Sequence, residues 1–383
     1  MYGFALIITT ILLIGYCCLL LMYRQWLIQL PVFTHKNNTR IPATHFSVIV
    51  PARNEETNIK QCLESILQQA YSRELFEVII VNDHSTDETE NIVLSLQKKY
   101  SNLFLLNLKD HLDKKQLTAY KKKAIEMAVL QSKGNWIVTT DADCIVTANW
   151  LSNFDQYIQE RNPVFVAAPV MFTNNHSFLS VFQLLDFLSL QGITAAAVSA
   201  GYHSMCNGAN ICYRKDVFNE VGMFAGIDHI ASGDDMLLMH KIKIQYPDQI
   251  GYLYSRDSIV LTAPMGSWKE FFNQRVRWAS KASSYQDKSI YWILLLVYLL
   301  NASLFVLLVS SPFIYHGLIN WLILVGVKTL VELSFMFPVA RFYGQAKALF
   351  WFPLMQPFHI VYTVVAGWLG KFGTYQWKGR KVK

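Results

Sequence analysis

The chain has 383 residues, 52% apolar and 14% aromatic but only 16% charged, well under the roughly 25% of average soluble domains, so one ordinary soluble domain is excluded. The net charge of +7 does not mark a nucleic-acid binder. Its basic residues (Arg24, Arg275, Arg277, Lys281, Arg341, Lys371, Lys378, Arg380) sit beside apolar segments, which suits anionic lipid headgroups.

Residues 2–23 carry no charge and are followed by Arg24, Lys36 and Arg40. About 20 apolar residues suffice to cross a bilayer. No basic residue precedes the run and no small-residue cleavage site follows it, so an uncleaved anchor is expected, with its basic flank in the cytosol. The six cysteines (17, 18, 62, 144, 206, 212) form no CxxC pair and no metal-finger spacing, and read as small buried residues of a reduced domain.

From residue 46 the pattern becomes short β-branched runs separated by helical stretches. FSVIV (46–50) reads as a buried strand, and the helix 55–70 puts Ile59, Cys62, Leu63, Ile66, Leu67 and Ala70 on one face. FEVIIV (76–81) is a second strand, after which Thr86 or Asp87 caps a helix carrying Ile92, Val93 and Leu96. FLLNL (104–108), a helix over 120–132 and WIVTT (136–140) continue the alternation. This order predicts an α/β fold with a doubly wound, mostly parallel sheet. VFVAAPV (164–170) reads as one strand, 176–200 as a long Leu- and Ala-rich helix, and NGANICYR (207–214) as a turn entering a strand.

Residues 267–282 mix Trp268, Phe271, Phe272, Val276 and Trp278 with basic residues, the pattern of an amphipathic interfacial helix. Beyond residue 289 the chain is charge-free as far as Lys328. Pro312 and His316-Gly317 offer a turn, giving spans near 290–311 and 318–340, a basic loop at 341–347 and a third, Pro-interrupted stretch at 348–370. Three such spans place the KGRKVK tail outside, against the positive-inside tendency. Lys328 and Glu332 stand one helical turn apart and read as a self-neutralising pair. The organisation expected is an anchor (2–23), a cytosolic α/β domain (44–265), an amphipathic helix (266–285) and a C-terminal membrane region of two to three spans (290–370).

In open parallel sheets ligands bind outside the carboxyl ends of the strands. Those ends here are PARNEE (51–56), NDHSTDET (82–89) and DADC (141–144), which bring Asp83, Asp141 and Asp143 to one rim. Two carboxylates one small residue apart suit a hard divalent cation, and such a cation can neutralise a diphosphate leaving group. No GxGxxG follows the first strand and no GxxxxGK[ST] occurs, which argues against hydride transfer and P-loop hydrolysis.

PARNEE, VNDHSTDET, TTDADC, NGAN, SGDD and QRVRW, in this order over about residues 44–282, resemble the family 2 glycosyltransferases with a GT-A-type fold. The resemblance is strongest to their membrane-anchored branch, which includes processive polysaccharide synthases. It implies that Pro51, Ala52, Glu55 and Asp83 hold the nucleobase and ribose, that Asp141 contacts the nucleotide and that Asp143 binds Mg²⁺ or Mn²⁺. Lys121 stands where the family has a lysine after glycine, near the donor, although Tyr120 replaces that glycine here. Asn207, Gly208 and Ala209 shape the floor under the transferred sugar. Asp235 is the implied general base, and Asp234 beside it takes the place of a glutamate. Gln274, Arg277 and Trp278 close over the donor diphosphate and the acceptor end.

The resemblance thus implies an inverting transferase in the bacterial cytoplasmic membrane, with its catalytic domain cytosolic. Its partners would be a nucleotide sugar, with uridine as the expected base, and a lipid, lipid-linked or glycan acceptor. With three or four membrane segments, a polymer channel would need another copy or an accessory subunit, so single transfer stands beside processive synthesis. A nucleotidyltransferase is the rival enzyme and would release pyrophosphate. A non-catalytic scaffold would have lost carboxylates, whereas Asp83, Asp141, Asp143 and Asp235 are all present.

Overall fold

The structure, a computed structural model, describes residues 2–34, 41–110, 119–230, 233–280, 287–372, 375–377 and 380–382. Lys36, Arg40, Ser232, Lys281, Lys378 and the end of the expected amphipathic helix lie outside the described residues. The chain forms two compact units. One comprises Pro31–Phe172 and Val198–Ala263, the other Met1–Leu30, Thr173–Ala197 and Pro264–Lys383.

In chain order the elements are α1 (Tyr2–Gln29), β1 (Phe46–Ala52), α2 (Ile59–Leu67), β2 (Phe76–Asn82), α3 (Thr89–Gln97) and β3 (Leu103–Asn107). They continue with α4 (Tyr120–Gln131), β4 (Trp136–Thr139), β5 (Cys144–Ile145), α5 (Trp150–Arg161), β6 (Phe165–Ala167), β7 (Val170–Phe172) and α6 (Phe178–Ser199). Then follow β8 (Ile211–Arg214), α7 (Lys215–Glu220), α8 (Asp234–Gln245), β9 (Ile250–Tyr252) and β10 (Val260–Thr262). The chain closes with α9 (Trp268–Ala279), α10 (Lys288–Ser310), α11 (Gly317–Phe342), α12 (Phe352–Phe372) and the hairpin β11 (Tyr375–Trp377) and β12 (Arg380–Val382).

The α/β unit is built on a seven-stranded sheet of order β3-β2-β1-β4-β8-β6-β9. β1 pairs in parallel with β2, from Phe46↔Phe76 to Ala52↔Asn82, and with β4, from Phe46↔Trp136 to Ile49↔Thr139. β8 runs antiparallel to both of its neighbours, β4 and β6. β2 and β4 are buried at every residue, and β1 at all but Pro51. Burial on both faces is why these strands read as unbroken apolar runs, not as alternating ones.

VFVAAPV is not one strand. It breaks at Ala168-Pro169, and β6 stays in the large sheet while β7 joins β5 and β10 in a three-stranded sheet. Pro169 has no N–H to continue a ladder. Its carbonyl accepts from Val260 N–H, which starts the second pairing.

In the helical unit α1 packs on α10 and α11, while α12 packs on α9 and α10. Among the described residues five helical segments are long and apolar enough to cross a membrane: Tyr2–Gln29, Phe178–Ser199, Lys288–Phe313, Gly317–Phe342 and Ala346–Phe372. The first and last three match the segments expected from the sequence. Phe178–Ser199 is different, because most of its surface is covered by protein. Gly192 on this helix lets α11 approach closely, since a Cβ there would stand 2.5 Å from Val339 Cγ2.

Lys328 and Glu332 do pair, at 2.7 Å, within a larger buried network. Gln356 accepts from Lys328 Nζ at 2.8 Å and donates to Glu332 Oε2 at 2.6 Å, and Tyr16 OH donates to Glu332 Oε1 at 2.6 Å. Three helices, α1, α11 and α12, thereby share one neutral hydrogen-bonded set.

Candidate active site

The C-terminal ends of β1, β2 and β4 lie side by side because these strands are parallel neighbours. Pro51 and Ala52 are the last residues of β1, and Ala52 O accepts from Asp83 N–H at 2.8 Å. Asp83 is buried, with its Oδ1 2.9 Å from His84 Nδ1 and 3.8 Å from Arg53 Nη1. The two loops are laced together: Glu55 N–H donates to Thr89 Oγ1 at 2.8 Å, Thr86 N–H to Asn54 Oδ1 at 2.9 Å, and Glu56 N–H to Asp87 Oδ2 at 3.1 Å. Asp87 also accepts from Thr89 N–H at 3.1 Å, so it serves the start of α3, as its sequence position suggested. Burial pushes the Asp87 carboxyl up, but the Thr89 hydroxyl and the Glu56 and Thr89 N–H groups bring it below the usual carboxylate range.

The second group of residues meets over the turn before β8. Lys121, in the first turn of α4, donates to Asp141 Oδ1 at 2.8 Å and lies 3.2 Å from Asp234 Oδ2. Gly208 forms the wall beside them. A Cβ built there would lie 3.4 Å from Asp234 Oδ2, 3.5 Å from Asp235 Cβ and 3.5 Å from Lys121 Nζ. Burial opposes the Lys121 ammonium, but the Asp141 and Asp234 carboxylates outweigh it and hold the group above the ordinary lysine range.

Asp235 is oriented by the backbone. Its Oδ2 accepts from Gly208 N–H at 2.9 Å and its Oδ1 from Met236 N–H at 2.8 Å. Gly233, at φ +78°, turns the chain into α8 just ahead of both aspartates, a conformation that glycine adopts at least cost. The 207–210 turn is anchored from below: Thr139 Oγ1 donates to Gly208 O at 2.8 Å, Asn207 Oδ1 accepts from Ala209 N–H at 3.0 Å, and the buried Asn210 Nδ2 donates to Pro169 O at 2.7 Å.

Asp141, Asp143 and Cys144 offer ligand atoms within 4.8 Å of one another. Burial, with Asp141 and Asp143 adding to it, pushes the Cys144 thiol up, so Cys144 is a poor ligand for a hard cation. The two carboxylates suit an oxygen-seeking divalent ion, and the residues present fit the group.

Gln274, Arg277 and Trp278 lie on α9 in the helical unit, which starts with a capping box between Ser267 and Glu270. Arg275, which lies between them, is buried and 2.6 Å from Asp186 Oδ2 of α6, with its guanidinium 4.2 Å from the Trp278 ring centroid. Tyr362 of α12 also donates to Asp186. Thus α9 covers one face with protein, through Phe271, Arg275 and Val276.

Residues 47–222 match the model of glycosyl transferase family 2, and residues 136–369, more than half of the chain, match that of glycosyl transferase family group 2. The chain is a family 2 glycosyltransferase. It is similar to glycosyltransferase AglE of Haloferax volcanii, 28% identical over 190 residues, which are 50% of this chain and 58% of that one. It is also similar to dolichyl-phosphate beta-glucosyltransferase ALG5A of Trichomonas vaginalis, 35% identical over 107 residues, 26% of this chain and 31% of that one. The transferase therefore spans 31% to 58% of the length of these relatives. Its fold matches that of mannosyltransferase PcManGT from Pyrobaculum calidifontis, solved with GDP-Man and Mn²⁺, at a TM-score of 0.63 and 16% identity over 94% of this chain and 99% of that one. The α/β unit with its mostly parallel sheet is the GT-A type.

Two residues beside Asp83 in this candidate site escaped the sequence reading. Arg53 sat inside PARNEE and His84 inside NDHSTDET, yet nothing in their spacing marked them as partners of Asp83. Lys122, which the sequence offers with Lys121 and Lys123 as a possible phosphate contact at a helix start, is instead buried and donates to Ile227 O and Ile230 O, both at 2.7 Å.

Proposed function

We propose that this glycosyltransferase moves a sugar, with inversion, from a nucleoside-diphosphate donor, uridine-linked for preference, to a lipid, lipid-linked or glycan acceptor at the cytosolic membrane face. The observation that carries the reading is the meeting of Lys121, Asp141, Asp234 and Asp235 around Gly208 at the carboxyl ends of parallel strands. An ammonium among carboxylates gives a polar cluster whose charges suit a phosphorylated sugar.

Pro51, Ala52, Glu55 and Asp83 would receive the nucleoside at the joined β1 and β2 ends. Asp141 and Asp143 would hold Mg²⁺ or Mn²⁺, which when bound supplies Lewis-acid neutralisation of the departing diphosphate. Asn207, Gly208, Ala209 and Asp234 would line the sugar pocket. Asp235, with an N–H fixing each oxygen, would take the proton from the acceptor hydroxyl as it attacks the anomeric carbon from the side opposite the diphosphate. Gln274, Arg277 and Trp278 would contact the diphosphate or the acceptor. A lipid acceptor is supported by the dolichyl-phosphate transferase among the relatives and by the apolar helices that bring this chain to a bilayer. The α/β unit would face the cytosol of a bacterial cytoplasmic membrane; a reducing compartment suits its free Cys62, Cys144 and Cys212.

The test is a panel of nucleotide sugars, with and without chelator, scored for nucleoside diphosphate release by the detergent-solubilised chain. One donor should turn over, chelator should stop it, and Asp235→Asn should lower kcat by about 10²–10⁴-fold. Pyrophosphate as the released product, or full activity in Asp235→Asn, would overturn the reading. Product length separates one transfer from polymerisation, and a polymer product calls for a second copy or an accessory subunit.

A further inference from the structure

Lys121 is paired with a carboxylate that the metal reading needs. Its Nζ lies 2.8 Å from Asp141 Oδ1 and 3.2 Å from Asp234 Oδ2, with Gly208 closing the side. Asp141 also offers a carboxylate oxygen to the group it forms with Asp143. One carboxylate is therefore within reach of both a tethered ammonium and the cation that the metal reading calls for.

We propose that Lys121 acts as an internal counter-ion that sets the order of entry: it holds Asp141 until a diphosphate arrives, so that the divalent cation enters with the nucleotide and not before it. The inference rests on the metal reading above. A bare divalent ion approaching Asp141 has to displace an ammonium that cannot diffuse away, and the displaced charge would remain within the same cluster. A nucleoside diphosphate changes that balance. Its phosphate oxygens give the ammonium a second anion to bind and complete the ligand set of a hard cation. Linkage then makes cation and nucleotide each raise the other's affinity by one common factor, and Lys121 supplies part of it.

Mn²⁺ binding to the full-length chain in detergent, followed by the electron paramagnetic resonance signal of the free ion, tests this without any turnover. Titrations are made alone and with UDP or GDP, on wild type, Lys121→Met, Lys121→Gln, Lys123→Met and Asp143→Asn. Lys123 is the charge control, since it lies on the same helical turn and pairs with Glu126 at 3.3 Å. Wild type should bind Mn²⁺ weakly alone and tightly with one of the nucleotides. Lys121→Met and Lys121→Gln should bind Mn²⁺ alone about tenfold more tightly, with the nucleotide's enhancement reduced to match, a coupling of ordinary size. Lys123→Met should behave as wild type.

Unchanged Mn²⁺ affinity in both Lys121 variants, or an equal gain in Lys123→Met, overturns the inference while leaving the metal reading intact. Asp143→Asn binding Mn²⁺ with nucleotide as well as wild type does overturns the metal reading itself.

Discussion

Asp141 and Asp87 are both acidic residues that follow a parallel strand, yet they have different duties. Asp87 spends its oxygens on Glu56 and Thr89, while Asp141 faces Lys121. Glu90 belongs with Asp87: it ties β2 to β3 by accepting from Asn82 Nδ2 at 3.2 Å, Asn107 Nδ2 at 2.8 Å and Lys109 Nζ at 3.1 Å. The Asn107 amide first, and Lys109 with it, hold the Glu90 carboxyl below its usual range. A carboxyl lowered in the folded state contributes stability above its unfolded value, about 4.3, and loses it as pH falls through the folded value. Thermal melts of the solubilised protein between pH 6 and pH 3 should therefore fall less steeply for Glu90→Gln, which should also be less stable by about 1 kcal/mol at neutral pH. Parallel curves for the two proteins would show that the clamp contributes nothing.

At the scale of elements, α4 does two jobs from adjacent residues. Lys121 faces the carboxylates, and Lys122 binds carbonyls of the loop that precedes α8. From α8, Lys241 reaches back to the same loop, donating to Met223 O at 2.8 Å and Ala225 O at 2.9 Å. The described residues of the loop make local turn hydrogen bonds, such as Ile230 N–H to Ile227 O, and these ammonium groups give its carbonyls further donors. Lys122→Met should destabilise the chain by about 2 kcal/mol or more and lower kcat with little change in donor KM, because it loosens the approach to Asp235. Lys122→Arg should recover most of kcat. If Lys122→Met melts and turns over like wild type, the loop is held without it.

At the scale of the molecule, the chain order does not follow the two units. The α/β unit is interrupted by residues 173–197, which belong with the apolar helices. Inside the helical unit, the Lys328, Glu332, Gln356 and Tyr16 set is a polar island among long apolar helices, and its members bond one another. Lys328→Met should cost about 3–5 kcal/mol by stranding Glu332, as breaking one half of a buried pair does. The double variant Lys328→Met with Glu332→Met should regain much of the lost melting temperature. A double variant that melts below the single one would argue that the ions do more than neutralise each other.

The sequence alone determined the parallel strands β1, β2 and β4, the aspartates at their ends and the long apolar helices. Each of these is a local signal: an apolar run, a polar residue at the run's end, or a length matched to a bilayer. Its order of motifs also carried the family. Tertiary structure decided what periodicity cannot encode, namely partners far apart in the chain. Lys121 met Asp234 only after the sheet was assembled, Arg275 reached Asp186 through helix packing, and VFVAAPV split because two sheets competed for it at Pro169. A period tells which face of an element is buried. It does not say what lies on the other side.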